Sequence, residues 1–156
     1  MISDNAFAQE VRSLTDTAFA VAYLILGNRA DCEDAMSEAI LRAYQNRRKL
    51  KKRESFRAWF LQILRHEAYT LLRKRRRVQP MDELPEEAAP EKDAAGRLDL
   101  QTALREISED QRTALLLQQE GYELAEIGQI LDVPVGTVKS RISRAKSTLK
   151  TILQEN

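Results

Sequence analysis

Three of the chain's four prolines stand at 80, 85 and 90, inside an acidic stretch with few large apolar side chains. Proline lacks a backbone donor and fixes φ, so no regular helix or sheet ladder runs through such a segment. Residues 78–96 are therefore predicted to form a flexible acidic linker that divides the chain into pieces of 1–77 and 97–156. Neither piece alternates apolar and polar residues in the way a half-buried strand requires. The expected fold class is all-α, with two small helical domains.

Helical spacing is clear in the first piece. Phe7, Val11, Leu14, Ala18, Val21 and Ile25 fall on one face, and Gly27-Asn28 supplies a stop. A second helix is predicted from near Asp31, where Asp31, Glu33 and Asp34 suit the positive end of its dipole. It continues through Ala35, Ile40, Leu41 and Tyr44. After the basic loop "NRRKLKKRES", Ser55 is a cap for a third helix running from Phe56 to about Arg77. In the second piece Leu98, Leu100, Leu104 and Ile107 suggest one helix. "SEDQ" at 108–111 has capping-box spacing for another, which Gly121 ends.

Charge distribution narrows the function. The net charge is only +1, yet residues 42–77 carry many cations against Glu54 and Glu67 alone, and residues 137–150 hold five cations and no acid. Two basic segments flanking an acidic one point to a polyanion met at two places. Cys32 is the only cysteine, which excludes an internal disulfide and suits a reducing compartment, the cytoplasm. The start "MISDNAFAQE" lacks the pattern of a signal peptide. The longest apolar run, 18–26, is too short to cross a bilayer, so no membrane insertion is expected. No carboxylate cluster, phosphate-cradling glycine loop or nucleophile–base pair is evident. No catalytic residue, metal or cofactor is therefore expected, and the chain is not read as an enzyme.

The chemistry lies in "GYELAEIGQILDVPVGTVKSRISRAKSTL". Leu124, Ile127 and Leu131 line a short helix, and Asp132-Val133 forms a turn in which Asp tolerates a left-handed backbone. Pro134 sits at or near the first turn of the next helix, where its missing N–H costs nothing. Gly136 is read as the point of close approach to a neighbour or a phosphate. Val138, Ile142, Ala145 and Leu149 form the buried stripe, leaving Thr137, Lys139, Ser140, Arg141 and Arg144 outward. This is the pattern of a helix-turn-helix, whose second helix enters the major groove and bonds base edges and phosphates.

With that module, "DCEDAMSEAILRAY" and "ESFRAWFLQILRHEAYTLLRKRRR" complete a resemblance. The chain resembles the extracytoplasmic-function (ECF) sigma factors of bacterial RNA polymerase, the two quoted segments matching region 2 and the helix-turn-helix region 4. The resemblance covers nearly all of the chain outside the linker. It implies a non-catalytic factor that binds core RNA polymerase and directs promoter recognition and transcription initiation. It assigns polymerase docking to Asp34, Ser37, Glu38 and Leu41, with Tyr44 nearby, facing the β′ clamp helices; the β flap is a second polymerase contact. Reading of the −10 element falls to Arg65, His66, Tyr69, Thr70, Arg73 and Arg76, with "KLKKRESF" beside a flipped base. Thr137, Lys139, Ser140, Arg141 and Arg144 would read the −35 element. Trp59 and Phe60 are of a kind that stacks with bases, but core packing is the favoured reading. The expected partners are core polymerase, promoter DNA and an anti-sigma factor, which would hold the chain near the membrane.

The two promoter elements lie roughly 70 Å apart, about two helical turns. A linker of this length spans ~25 Å as a coil and ~65 Å when taut. Both elements are therefore expected to be engaged together only on the polymerase.

Overall fold

The computed structural model describes residues 1–78 and 107–155. The chain divides into two compact units, Met1–Pro85 and Glu86–Asn156. The expected linker, and the helix expected around Leu98, Leu100 and Leu104, lie outside the described residues. The fold is all-α, and the described residues contain no strand.

The first unit packs three helices, α1 (Asp4–Leu26), α2 (Arg29–Gln45) and α3 (Phe56–Val78). Two of them begin earlier than apolar spacing predicts, because caps set a helix start and periodicity does not register them. Ser3, four residues before the first core position Phe7, accepts at Oγ from the Ala6 N–H at 3.2 Å. Asn28 Oδ1 accepts from the Asp31 N–H at 2.9 Å, so Asn28 opens α2 as well as following the stop of α1. That stop is Gly27, whose φ of 75° and N–H bond to the Tyr23 carbonyl close α1 with a left-handed residue. A 3₁₀ turn, Arg53–Ser55, leads straight into α3.

Two kinds of residue build this core. Ala35, Ala39 and Ala43 repeat every four residues along α2 and are buried, as are Ala18 and Ala22 of α1 and Ala68 of α3. Small side chains on one stripe let helix axes approach closely. Where α1 and α3 begin and α2 ends, an aromatic cluster fills the core. Phe7 meets Tyr44 and Phe56 edge-on at 5.4 and 5.6 Å, and Phe56 stacks on Phe60 at 5.7 Å. Phe56 and Phe60 are fully buried. Ion pairs then tie α2 to α3: Arg42 to Glu67, and Arg75 to Asp31 at 3.0 Å.

The second unit holds α4 (Glu109–Gln119), α5 (Leu124–Leu131) and α6 (Val135–Glu155). Ser108 and Gln111 form the expected capping box, each side chain bonding the other's backbone N–H at 3.2 Å. Gly121, at φ 88°, ends this segment. The α5–α6 turn follows the sequence reading closely. Asp132 adopts φ 59°, ψ 47°, the left-handed conformation that Asp tolerates better than most residues. The Pro134 carbonyl accepts from the Thr137 and Val138 N–H groups at 3.0 and 3.2 Å, so proline precedes the first residue of α6 and breaks nothing.

The reading of Gly136 as a point of close approach to a neighbouring helix is corrected. A Cβ on Gly136 would meet nothing within 4 Å, whereas one on Gly128 would lie 2.8 Å from the Val133 carbonyl oxygen. The close approach is therefore between the middle of α5 and the turn that follows it. Apolar spacing missed it because Gly128 sits beside the stripe residues Leu124, Ile127 and Leu131 and has no side chain to count.

Candidate nucleic-acid interface

In the second unit, burial sorts α6 into two faces. Val138, Ile142 and Ala145 are buried, and Leu149 is half-buried. Lys139, Ser140 and Arg144 are exposed, as expected of residues that reach outward, while Thr137 is half-buried. The Ser140 hydroxyl donates to the Gly136 carbonyl at 3.1 Å, which fixes its rotamer. Val135, 39% exposed at the head of α6, is an apolar group that charge-based reading left out. Together these residues present two cations, a hydroxyl and a methyl-bearing side chain. Such a set suits guanine edges, phosphates and thymine methyl groups.

Arg141 departs from its expected place. Its side chain is only 26% exposed, and Nη1 lies 3.2 Å from Asp110 Oδ2 in the first turn of α4. It turns back onto its own unit instead of facing outward.

The basic helix of the first unit shows the same split. His66, Arg73 and Arg76 are exposed, and Tyr69 and Thr70 are half-buried. Arg73 donates to the Thr70 hydroxyl at 3.2 Å. Arg65, expected on the same face, is 6% exposed, with its guanidinium 5.3 Å from the centre of the Tyr69 ring. It leaves the outer face and lies beneath the aromatic one.

The two misplaced arginines share a cause. Arg65 is four residues after Leu61 and three before Ala68, and Arg141 is three after Val138 and four before Ala145; all four of those partners are buried. At ~100° per residue each arginine sits about 70° from the centre of the buried stripe. Its long stem then lies along the core. That signal was present in the sequence.

His66 lines an open groove of about 350 Å³ with Arg42, Asn46, Lys49, Trp59, Ile63 and Glu67. Phe60 is core, as read, but Trp59 is only half-buried. One side of Trp59 packs edge-on against Phe56 at 5.8 Å, and the residue also lines the groove. The sequence reading ranked this second role below core packing, because Trp59 stands among the apolar residues that open α3. An indole, an imidazole and two cations around one groove fit a base and its phosphates.

On α2 the side chains of Asp34, Ser37, Glu38 and Leu41 are all exposed, and Leu41 is 50% exposed. Their spacing of three and four residues aligns them on one helix face. Asp34 also stands 3.7 Å from Arg75. Tyr44 is drawn away from this face: its hydroxyl donates to Asp4 at 3.0 Å, and Arg47 covers its ring at 4.0 Å. A second groove, about 210 Å³, runs between α2 and α3 past Asp34, Glu38, Arg42, Glu67, Thr70 and Lys74.

Cys32 is buried, and its thiol is pushed from 9.0 to about 11, first by burial and then by the charges of Asp31 and Glu33. It stays protonated near neutrality and is a poor nucleophile. Among the described residues no group of His, Cys, Asp and Glu is placed to hold a metal ion, and no helix is long and apolar enough to cross a membrane.

Comparison with known proteins matches both units. The model for Sigma-70 region 2 matches residues 11–78, and that for Sigma-70, region 4 matches residues 97–149. The chain is 32% identical to the ECF RNA polymerase sigma factor EcfG of Rhodopseudomonas palustris, covering 87% of this chain and 77% of that one. It is 28% identical to the ECF RNA polymerase sigma factor SigW of Bacillus subtilis, covering 97% and 90%. Among solved structures it is similar to the sigma factor RpoE in complex with the anti-sigma factor NepR from Bartonella quintana. There the TM-score is 0.74 at 30% identity, over 95% of this chain and 96% of that one.

Proposed function

Because the chain belongs to the ECF sigma factors of RNA polymerase, promoter-directing factors for transcription initiation, we propose a division of labour between its two units. The first docks on the core enzyme and handles opened DNA; the second reads duplex DNA upstream. Lys139, Ser140 and Arg144 on α6 make the upstream contacts, with Thr137 at the margin. On α3, His66, Tyr69, Thr70, Arg73 and Arg76 meet the melted −10 element. The Trp59–His66 groove suits an extruded base, whose flipping costs a few kcal/mol that stacking must offset.

Docking falls to Asp34, Ser37, Glu38 and Leu41, against the β′ clamp helices, and the second unit meets the β flap. The observation that carries the proposal is Leu41, an apolar side chain 50% exposed amid aligned acids. A stand-alone repressor built on the helix-turn-helix alone has no use for that face. The chain works without catalytic chemistry or cofactor of its own, in the cytoplasm. The Bartonella quintana RpoE is bound by an anti-sigma factor, and we extend that class of partner to this chain.

Reconstitution with core RNA polymerase tests the proposal. Run-off transcription from a selected promoter should require this protein, and the protein alone should give no sequence-specific gel shift. Leu41→Asp should weaken core binding by about tenfold or more, while shifting stability within roughly 0.5 kcal/mol, as surface changes do. Specific promoter binding by the isolated chain, or full core affinity of Leu41→Asp, contradicts the assignment.

A further inference from the structure

The ion pair between Arg141 and Asp110 has a consequence for how the upstream element is read. Arg141 lies in the N-terminal third of α6, and Asp110 in the first turn of α4, so the pair joins the recognition helix to the helix behind it. Nη1 is sheltered from solvent and makes no hydrogen bond of good geometry, so its contact with Oδ2 is one of charge across 3.2 Å. The two side chains are 26% and 37% exposed, partly shielded from the salt that weakens surface pairs. To touch a base, Arg141 would have to abandon this carboxylate and swing its stem off the core. Lys139, Ser140 and Arg144, on either side in sequence, are exposed without any such movement.

We propose that Arg141 is a positioning residue: paired with Asp110, it sets the angle at which α6 is offered to the major groove, and it reads no base itself. This rests on the assignment of α6 as the recognition helix. Charge alone ranks Arg141 with Arg144 as a DNA contact; burial and the Asp110 pair separate them. A helix held at the wrong tilt misplaces Lys139 and Arg144 together. Loss of the pair should therefore lower use of the upstream element uniformly, without changing which bases are preferred.

The test uses holoenzyme reconstituted with the full chain and a promoter library randomised over the upstream element. Asp110→Asn and Arg141→Ala should each reduce upstream-element-dependent transcription, by about five- to tenfold, with the selected base frequencies unchanged. The double variant should lose no more than either single one, and the swap Asp110→Arg with Arg141→Asp should recover at least half of the activity. The slope of log affinity against log salt should stay unchanged in Arg141→Ala but fall by about 1 in Arg144→Ala if Arg144 holds a phosphate. Asp110→Asn keeps side-chain shape, so its effect separates from unfolding, which circular dichroism checks for every variant.

An intact response in Asp110→Asn beside a large loss in Arg141→Ala overturns the proposal. So does a change in selected bases on losing Arg141, or a charge swap as inactive as the single variants. If Lys139→Ala and Arg144→Ala also leave upstream use intact, the recognition-helix assignment itself fails and this inference with it.

Discussion

The two units solve the same problem, holding a basic helix at a fixed angle, with different materials. In the first, α1, α2 and α3 run for 23, 17 and 23 residues, and a cluster of Phe7, Tyr44, Phe56, Trp59 and Phe60 sets their spacing at one end. In the second, α4 and α5 have only 11 and 8 residues, and Tyr122 is the sole aromatic among the described residues. Its α5–α6 turn takes its geometry from backbone instead: a left-handed Asp132, and a glycine pressed against the Val133 carbonyl. A bundle fixed by side-chain bulk should fail when bulk is removed. A helix-turn-helix fixed by its turn should fail when a methyl group is added.

The largest effect therefore belongs to the first unit. Phe60 is fully buried and stacked on Phe56. Phe60→Ala should destabilise that unit by about 3–5 kcal/mol, the usual cost of a large aromatic cavity. This is a large part of the 5–15 kcal/mol typical of a whole domain. Two-step thermal melting followed by circular dichroism and NMR should show the first unit's transition shifted down and the second's unmoved. Equal shifts in both would mean that the units do not fold independently, and the comparison breaks.

The next effect tests the second unit by addition. In Gly128→Ala the new Cβ must escape a carbonyl oxygen at 2.8 Å. The oxygen is main chain, so no side chain can swing away, and the turn has to open. Such overpacking costs about 1–3 kcal/mol. Upstream-element use should fall further than stability, because α6 leaves the turn at a new angle. Gly136→Ala is the control: its Cβ meets nothing, and it should be neutral or slightly stabilising, since alanine favours helices. If the two substitutions behave alike, close approach is not what Gly128 supplies.

The sequence made much of this legible. Apolar periodicity and turn residues gave the described helices, the αL Asp132, the proline before α6 and the alternation of buried and exposed sides. Helix starts were less legible, because Ser3 and Asn28 act through local hydrogen bonds that leave no trace in the periodicity. The site was legible where a residue lies about 90° or more from the centre of the buried stripe, as Lys139 and Glu38 do. It failed at the stripe's margin. Arg65 and Arg141 are both charged, and both were read as outward because of that charge. A margin position is resolved only by what stands beside it: Asp110 on the helix behind for one, the Tyr69 ring one turn along the same helix for the other. Trp59 erred in the opposite direction, an apolar residue read as core that keeps one side in a groove.

The smallest effect sharpens the backbone half of the comparison, and its sign is the informative part. Asp132 holds φ 59°, ψ 47° between α5 and α6. A side chain in that region costs roughly 1–2 kcal/mol, with Asp near the low end because its short polar group bonds locally. Glycine removes the cost but loses more freedom on folding, a penalty of roughly 0.5–1 kcal/mol. The balance leaves Asp132→Gly more stable by about 0.5 kcal/mol, or ~2–4 °C in Tm for a domain of this size. The same replacement at Asp110, on regular helix, should instead destabilise, since glycine there relieves nothing and removes the charge facing Arg141. Differential scanning calorimetry of both variants decides the matter. A drop in Tm for Asp132→Gly would mean that its carboxylate contributes more to the turn than its backbone costs, so the turn would be held by a side chain after all.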